Sequence, residues 1–151
     1  MQPFIPGDNG QPFVIIIQDW MLEMCRSLST NNAWAIDSTF RTNQFGLPLY
    51  AAVAPNSQGV GIPLWYMMCT NVAGSGQEKM ALQLTLRKVF GRIANVRPSA
   101  IVIDKSWLEY NAIKAVIEED PSSWKIENGI RIQTHCKILL CWFHVKKAWV
   151  S

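Results

Sequence analysis

The sequence predicts an α/β fold with a mixed sheet and flanking helices. Three observations lead there. Short apolar or β-branched runs of strand length alternate with longer stretches of helical periodicity. Three of the runs are consecutive, with turn chemistry between the second and third, as in hairpin succession. A later run, 99–104, is bounded by Pro98 and apolar up to its final acid, which suits a strand buried on both faces.

Each element follows from its residues. Residues 1–11 are polar and broken by Pro and Gly, and read as a loop or linker. "PFVIII" (12–17) is β-branched and short, hence a strand. Residues 18–29 predict a helix with Trp20, Met21, Met24 and Leu28 on one face, stopped by "STNN". Together, 12–32 form a strand–helix lead-in to the main domain at 33–151. "AWAID" (33–37) is a short buried strand. "FGLPLYAAVA" (45–54) is the next, with Pro48 suggesting irregular pairing near its start. "PNSQG" is a turn, and 61–70 is the returning strand. After "VAGSGQ", a helix runs to 94 with Leu82, Leu86, Val89, Phe90 and Ile93 on one face. Strand 99–104 is followed by a helix from Trp107 to about Glu118. Residues 120–129 read as a loop. "KILLCWF" (137–143) is the last strand, leading into a helix start at "HVKKAWV".

Composition narrows the function classes. The 151 residues suit one domain with a real core. A net charge of +3 permits a polyanionic partner without arguing for one. No apolar run approaches the ~20 residues that span a bilayer. Nothing at the N-terminus resembles a signal peptide. Cys25, Cys69, Cys136 and Cys141 are therefore expected as reduced thiols inside a cell.

Two strands end in an acid. Asp37 closes "WAID" and Asp104 closes "AIVID". If the two strands run parallel and adjacent, both carboxylates emerge at one sheet end, where α/β proteins collect ligands. Two carboxylates so close repel unless a cation separates them. Hard oxygen donors suit Mg²⁺ or Mn²⁺. The plainer alternative is a turn or cap residue, and "DKSWLE" holds a capping-box pair, Ser106 with Glu109.

"IDSTFRTNQFGLPLYAAVAPNSQGVGIPLWYMMCTN", "IVIDKSWLEYNAI" and "LCWFHVKKAW" together resemble the catalytic region of Mutator-like element (MULE) transposases. In that family an Asp-x-Thr-Phe strand, a second strand closed by Asp and a Cys-x-x-His motif occur in this order. The resemblance implies an RNase H-like fold and a DDE-type site for DNA cleavage and transfer, in the nucleus. DNA would be the partner and self-association is open. By position, Asp37 and Asp104 would be the first two metal-binding acids. Ser38 stands where the family has Gly. The family's third acid, a Glu beyond Cys-x-x-His, has no counterpart in the seven residues after His144. The chain is thus expected to be a fragment, a truncated gene model or a decayed element, and inactive as given. A DNA- or protein-binding module with the same fold is the rival, and an RNase H-like nuclease the third reading.

Glu78 heads the helix after the third strand, where ribonucleases H carry an acid. Its spacing from Ser75 favours a capping box instead. Cys141 and His144, with His135 and Cys136 nearby, suggest zinc ligands. The intervening strand would turn 136 and 141 to opposite faces, so zinc is not expected. Cys141 is expected in the core, and His144 near the acids. Arg41, Lys146, Lys147 and Trp149 are candidate DNA contacts, through phosphate charge and base stacking. A solvated helix start with one core Trp explains them as well.

Overall fold

The computed structural model describes residues 4–6, 12–39, 47–69, 76–104 and 106–141. Its main sheet has seven strands: β1 (Phe4–Pro6), β2 (Pro12–Ile16), β3 (Ala33–Thr39), β4 (Leu49–Pro55), β5 (Gly61–Cys69), β6 (Ala100–Ile103) and β9 (Lys137–Leu140). They lie in the order β1-β2-β5-β4-β3-β6-β9. β3, β4 and β5 form an antiparallel meander, whereas β6 and β9 add on parallel beyond β3. Helices α1 (Asp19–Ser29), α2 (Gln77–Arg92) and α3 (Trp107–Glu119) complete a mixed α/β arrangement consistent with an RNase H-like fold. Among the described residues no helix is long and apolar enough to cross a membrane.

Period-2 alternation sets the sheet's two faces. Trp34 and Ile36 of β3, Tyr50, Ala52 and Ala54 of β4, and Trp65 and Met67 of β5 are buried. The helices cover that face. Phe90 of α2 lies 6.0 Å from the Trp34 ring, and Trp34 Nε1 donates to Ser29 Oγ at the end of α1 (2.8 Å). The predicted face of α2 is buried as expected, from Leu82 to Ile93. Burial of five such apolar side chains contributes roughly 7–15 kcal/mol, at ~1.5–3 kcal/mol each.

Three expectations need correction. Phe4–Pro6 is not loop, since it pairs antiparallel with β2. On α1 the buried set is Met21, Leu22, Cys25 and Ser29, while Trp20 is 49% exposed. The stripe is rotated because α1 packs on β5 and β4. Residues 120–129 are not a simple loop. A 3₁₀ turn (Pro121–Ser123) leads into a separate hairpin of β7 (Trp124–Glu127) and β8 (Ile130–Gln133). Asn128 and Gly129, both at positive φ, form its two-residue turn, which twists with the strands.

The pairing irregularity also moved. It lies between Ala52 and Val53, which face Trp65 and Pro63 and leave Leu64 extra. Pro63 has no N–H to give the ladder, so a bulge forms there. β9 is described only to Leu140, and its predicted extension to 143 falls partly outside the described residues.

Candidate functional site

β3 and β6 are parallel neighbours, with Ala33 opposite Ala100, Trp34 opposite Ile101 and Ala35 opposite Val102. The same register carried two residues on brings Asp37 opposite Asp104. Across β6, Ile103 faces Leu140, and the Cys141 N–H donates to the Ile103 carbonyl (2.7 Å). Asp37 is therefore level with Asp104 and Cys141, which directly follow β6 and β9, but it does not close its strand as expected: β3 runs on to Thr39 because Ser38 and Thr39 pair with Tyr50 and Leu49 of β4. Asp37 is exposed, and its Oδ1 accepts from the Ser38 N–H (2.9 Å). Asp104 is half-buried, and its carbonyl accepts from the Ser106 N–H (2.7 Å).

The turn after Asp104 launches α3. Ser106 is its N-cap, with Oγ accepting from the Glu109 N–H (3.3 Å). Only half of the expected capping box exists. The Glu109 side chain is buried, 2% exposed, and its Oε1 has no hydrogen-bond partner. A capping side chain would remain at the surface and bond back to the cap. Burial, and then the negative charges of Asp104 and Asp37, push the Glu109 carboxyl up to about 7. Glu78 adds to that rise, and the Ser106 hydrogen bond opposes it.

The expected Ser75–Glu78 capping box falls partly outside the described residues. The N-cap of α2 is Gly76, at φ +72°, with no side-chain cap. Ser75 lies outside the described residues. The Glu78 carboxylate instead accepts a hydrogen bond from the Tyr50 hydroxyl. Tyr50 is buried on β4, opposite Ser38. Burial, and then the Glu78 carboxylate, raise the Tyr50 phenol far above its ordinary range. Asp37, Glu78, Asp104 and Glu109 thus form one acidic region at this end of the sheet, close enough for the other three to act on Glu109.

Sequence reasoning missed Glu109 as a member of this region. The signal was available. Glu109, Ala112, Ile113, Val116 and Ile117 are the buried residues of α3, at the i, i+3, i+4, i+7, i+8 spacing of an inward stripe. A carboxyl at the head of such a stripe is carried inward with it.

The cysteine candidates disperse. Cys136 precedes β9 and Cys141 follows it, about 16 Å apart at ~3.3 Å per strand residue. One zinc ion cannot take both. Burial pushes the Cys25 and Cys69 thiols up to about 12 and Cys136 to about 11, so these three are poor nucleophiles at neutral pH. Cys141 is half-buried, less enclosed than expected for a core residue. Arg41, His144, Lys146, Lys147 and Trp149 lie outside the described residues.

Carboxylate oxygens are the donors a hard divalent cation takes. Among the described residues no three His, Cys, Asp or Glu side chains are gathered closely enough to hold an ion as they stand.

A model of the MULE transposase domain matches residues 33–148. No curated protein and no solved structure matches the chain.

Proposed function

The chain belongs to the MULE transposase domain family over residues 33–148, and from that premise we propose that it serves metal-dependent DNA strand cleavage and transfer of the DDE type. Asp37 and Asp104 are the proposed ligands to Mg²⁺ or Mn²⁺. When bound, such ions supply Lewis acidity at the scissile phosphate and an activated oxygen nucleophile. The protein's own part is to hold the two carboxylates side by side on stiff, hydrogen-bonded strands. DNA is the proposed partner, with Arg41, Lys146, Lys147 and Trp149 as its proposed contacts, and the nucleus the proposed site of action.

The observation that carries this reading is the parallel β3–β6 register, which, carried two residues on, sets Asp37 level with Asp104 just beyond β6. A structural turn residue explains one such acid but gives no reason for two in register. The test is equilibrium titration with Mn²⁺. Asp37→Asn and Asp104→Asn should each lower affinity at least tenfold in a protein that stays folded. Equal affinity in wild type and both variants would overturn the reading and favour a DNA- or protein-binding module on the same fold.

A further inference from the structure

We infer that the cavity between α3 and β9 binds the phosphate backbone of a DNA strand, with Lys114 and Lys137 as its two cationic contacts. This rests on the reading of DNA as the partner and adds to it two residues, one on each of those elements.

A cavity of about 230 Å³ opens between α3, β9 and the base of the β7–β8 hairpin. Lys114 of α3 and Lys137 of β9 both line it, and both are exposed. Among the described residues neither lysine forms an ion pair. Glu118, the acid among the described lining residues, is already paired with Arg131 at 3.3 Å. Two ammonium groups thus border one concave space with no acid left to neutralise them. Like charges so placed repel, and an anion between them relieves the repulsion. The Lys114 ammonium lies 5.7 Å from the centre of the Tyr110 ring, a contact that favours its place at the cavity wall. The hairpin wall is also fixed: Trp124 Nε1 donates to the Ile117 carbonyl (2.8 Å), and Arg131 lies 3.9 Å above the Trp124 ring.

Register places this cavity relative to the acids. Lys137 pairs with Ala100 at the start of β6, and Asp104 comes four residues later in the chain, about 13 Å along the sheet at ~3.3 Å per residue. A DNA strand carries one phosphate per ~3.4 Å of helix axis. A backbone passing the acids therefore brings a phosphate to the cavity about four nucleotides on. The acids by themselves repel that backbone, and cations to one side hold it. A single solvated lysine needs no ligand, but that does not account for two meeting in one cavity whose acid is already paired. Exposed cations also suit a repeating polyanion better than a small phosphate, since each contact is weak and screened by salt and many must act together.

The experiment is fluorescence-anisotropy titration of a labelled DNA duplex with the full chain over a range of salt, folding being checked by circular dichroism. Wild type is compared with Lys114→Gln, Lys137→Gln, the double variant and Arg92→Gln, an exposed cation of α2 that does not line the cavity. Each cavity variant should weaken binding roughly five- to tenfold at ~0.1 M salt and flatten the slope of log affinity against log salt by about one, the double variant by about two. Arg92→Gln should change affinity less than about threefold. Equal losses in Arg92→Gln and the cavity variants overturn the inference in favour of diffuse attraction by net charge. Wild-type DNA affinity in the double variant overturns it too, and leaves the metal reading standing, because Mn²⁺ titration tests that separately. Inorganic phosphate is titrated in parallel. Phosphate binding that the double variant loses, with DNA affinity unchanged, overturns the inference in favour of a free phosphate ligand. No DNA binding by wild type removes both the inference and the DNA partner on which it rests.

Discussion

Helix α3 has a buried carboxyl near each end, and the two are treated in opposite ways. Asp120, its C-cap, is 7% exposed. Both of its oxygens are engaged: Oδ2 by Arg97 Nε (2.7 Å) and Ser123 Oγ (2.6 Å), Oδ1 by Arg97 Nη2 (2.9 Å). Arg97 also donates to the Ala94 and Val96 carbonyls and lies 4.2 Å above the Phe90 ring. Glu109, about 16 Å away along the helix at ~1.5 Å per residue, is buried more deeply with an oxygen unsatisfied and acids for neighbours. Burial alone would raise the Asp120 carboxyl, but Arg97 and Ser123 hold it below the usual range. At Glu109 only the Ser106 hydrogen bond opposes burial, and the neighbouring acids add to it. The Asp120 end is built to be stable as it is. The Glu109 end keeps an unpartnered buried oxygen among acidic neighbours.

The largest expected effect tests the satisfied end. Arg97→Ala leaves the Asp120 carboxylate buried without its partner, which costs roughly 3–5 kcal/mol. At this chain length that lowers Tm by on the order of 10 °C, measured by thermal unfolding. A loss below ~1 kcal/mol would mean that the Asp120 end is no better satisfied than the other.

Next comes pH, where the two ends act with opposite sign. Glu109 binds its proton more tightly folded than unfolded, so the folded state holds more protons between the ordinary 4.5 and about 7. Stability must therefore fall as pH rises through that window, by roughly 3 kcal/mol at ~1.4 kcal/mol per pKa unit. Asp120 does the reverse: its contribution is present above its ordinary value of 3.8 and is lost as pH falls through the lowered folded value. Denaturant unfolding across pH 4 to 8 should show wild type losing stability relative to Glu109→Gln. Parallel curves for the two proteins would erase the contrast. Below pH 4, Asp120→Asn should flatten the acid limb instead.

Saturating Mn²⁺ sharpens the same comparison. A ligand that binds only the folded state stabilises by ~2.7 kcal/mol at 100 times its Kd. Wild type should gain that at pH 7 and Asp104→Asn much less, read as a difference in Tm shift. The smallest effect belongs to Ser106. Ser106→Ala removes the cap that accepts from the Glu109 N–H, at a cost of ~1 kcal/mol. A shifted urea midpoint with an unchanged slope would report it.

Much of the site was legible because local rules govern it. Apolar runs closed by an acid drew attention to Asp37 and Asp104 in the sequence, although only Asp104 follows a strand end; β3 runs past Asp37 to Thr39 through its pairing with β4. The α2 stripe and the antiparallel meander followed from periodicity and turn chemistry in the same way. The hairpin at 124–133 was read as loop, although Asn128-Gly129 between alternating Ile residues carried its signal.

The amino-acid sequence by itself determined the α/β class, the acids closing the two apolar runs and the inward stripe of α3, because period and residue type act within a few residues of one another. Only the tertiary structure decided what the remaining carboxyls do. Ser106 with Glu109, and Ser75 with Glu78, have the spacing of a cap, and spacing alone cannot tell a surface carboxyl from one turned inward. Packing α3 on α2 buried Glu109 among charges that come from β3 and β6. Tyr50, 28 residues before Glu78 in the chain, turned that carboxylate to itself. Contacts between residues distant in sequence set solvation, and solvation set the charge state of each acid.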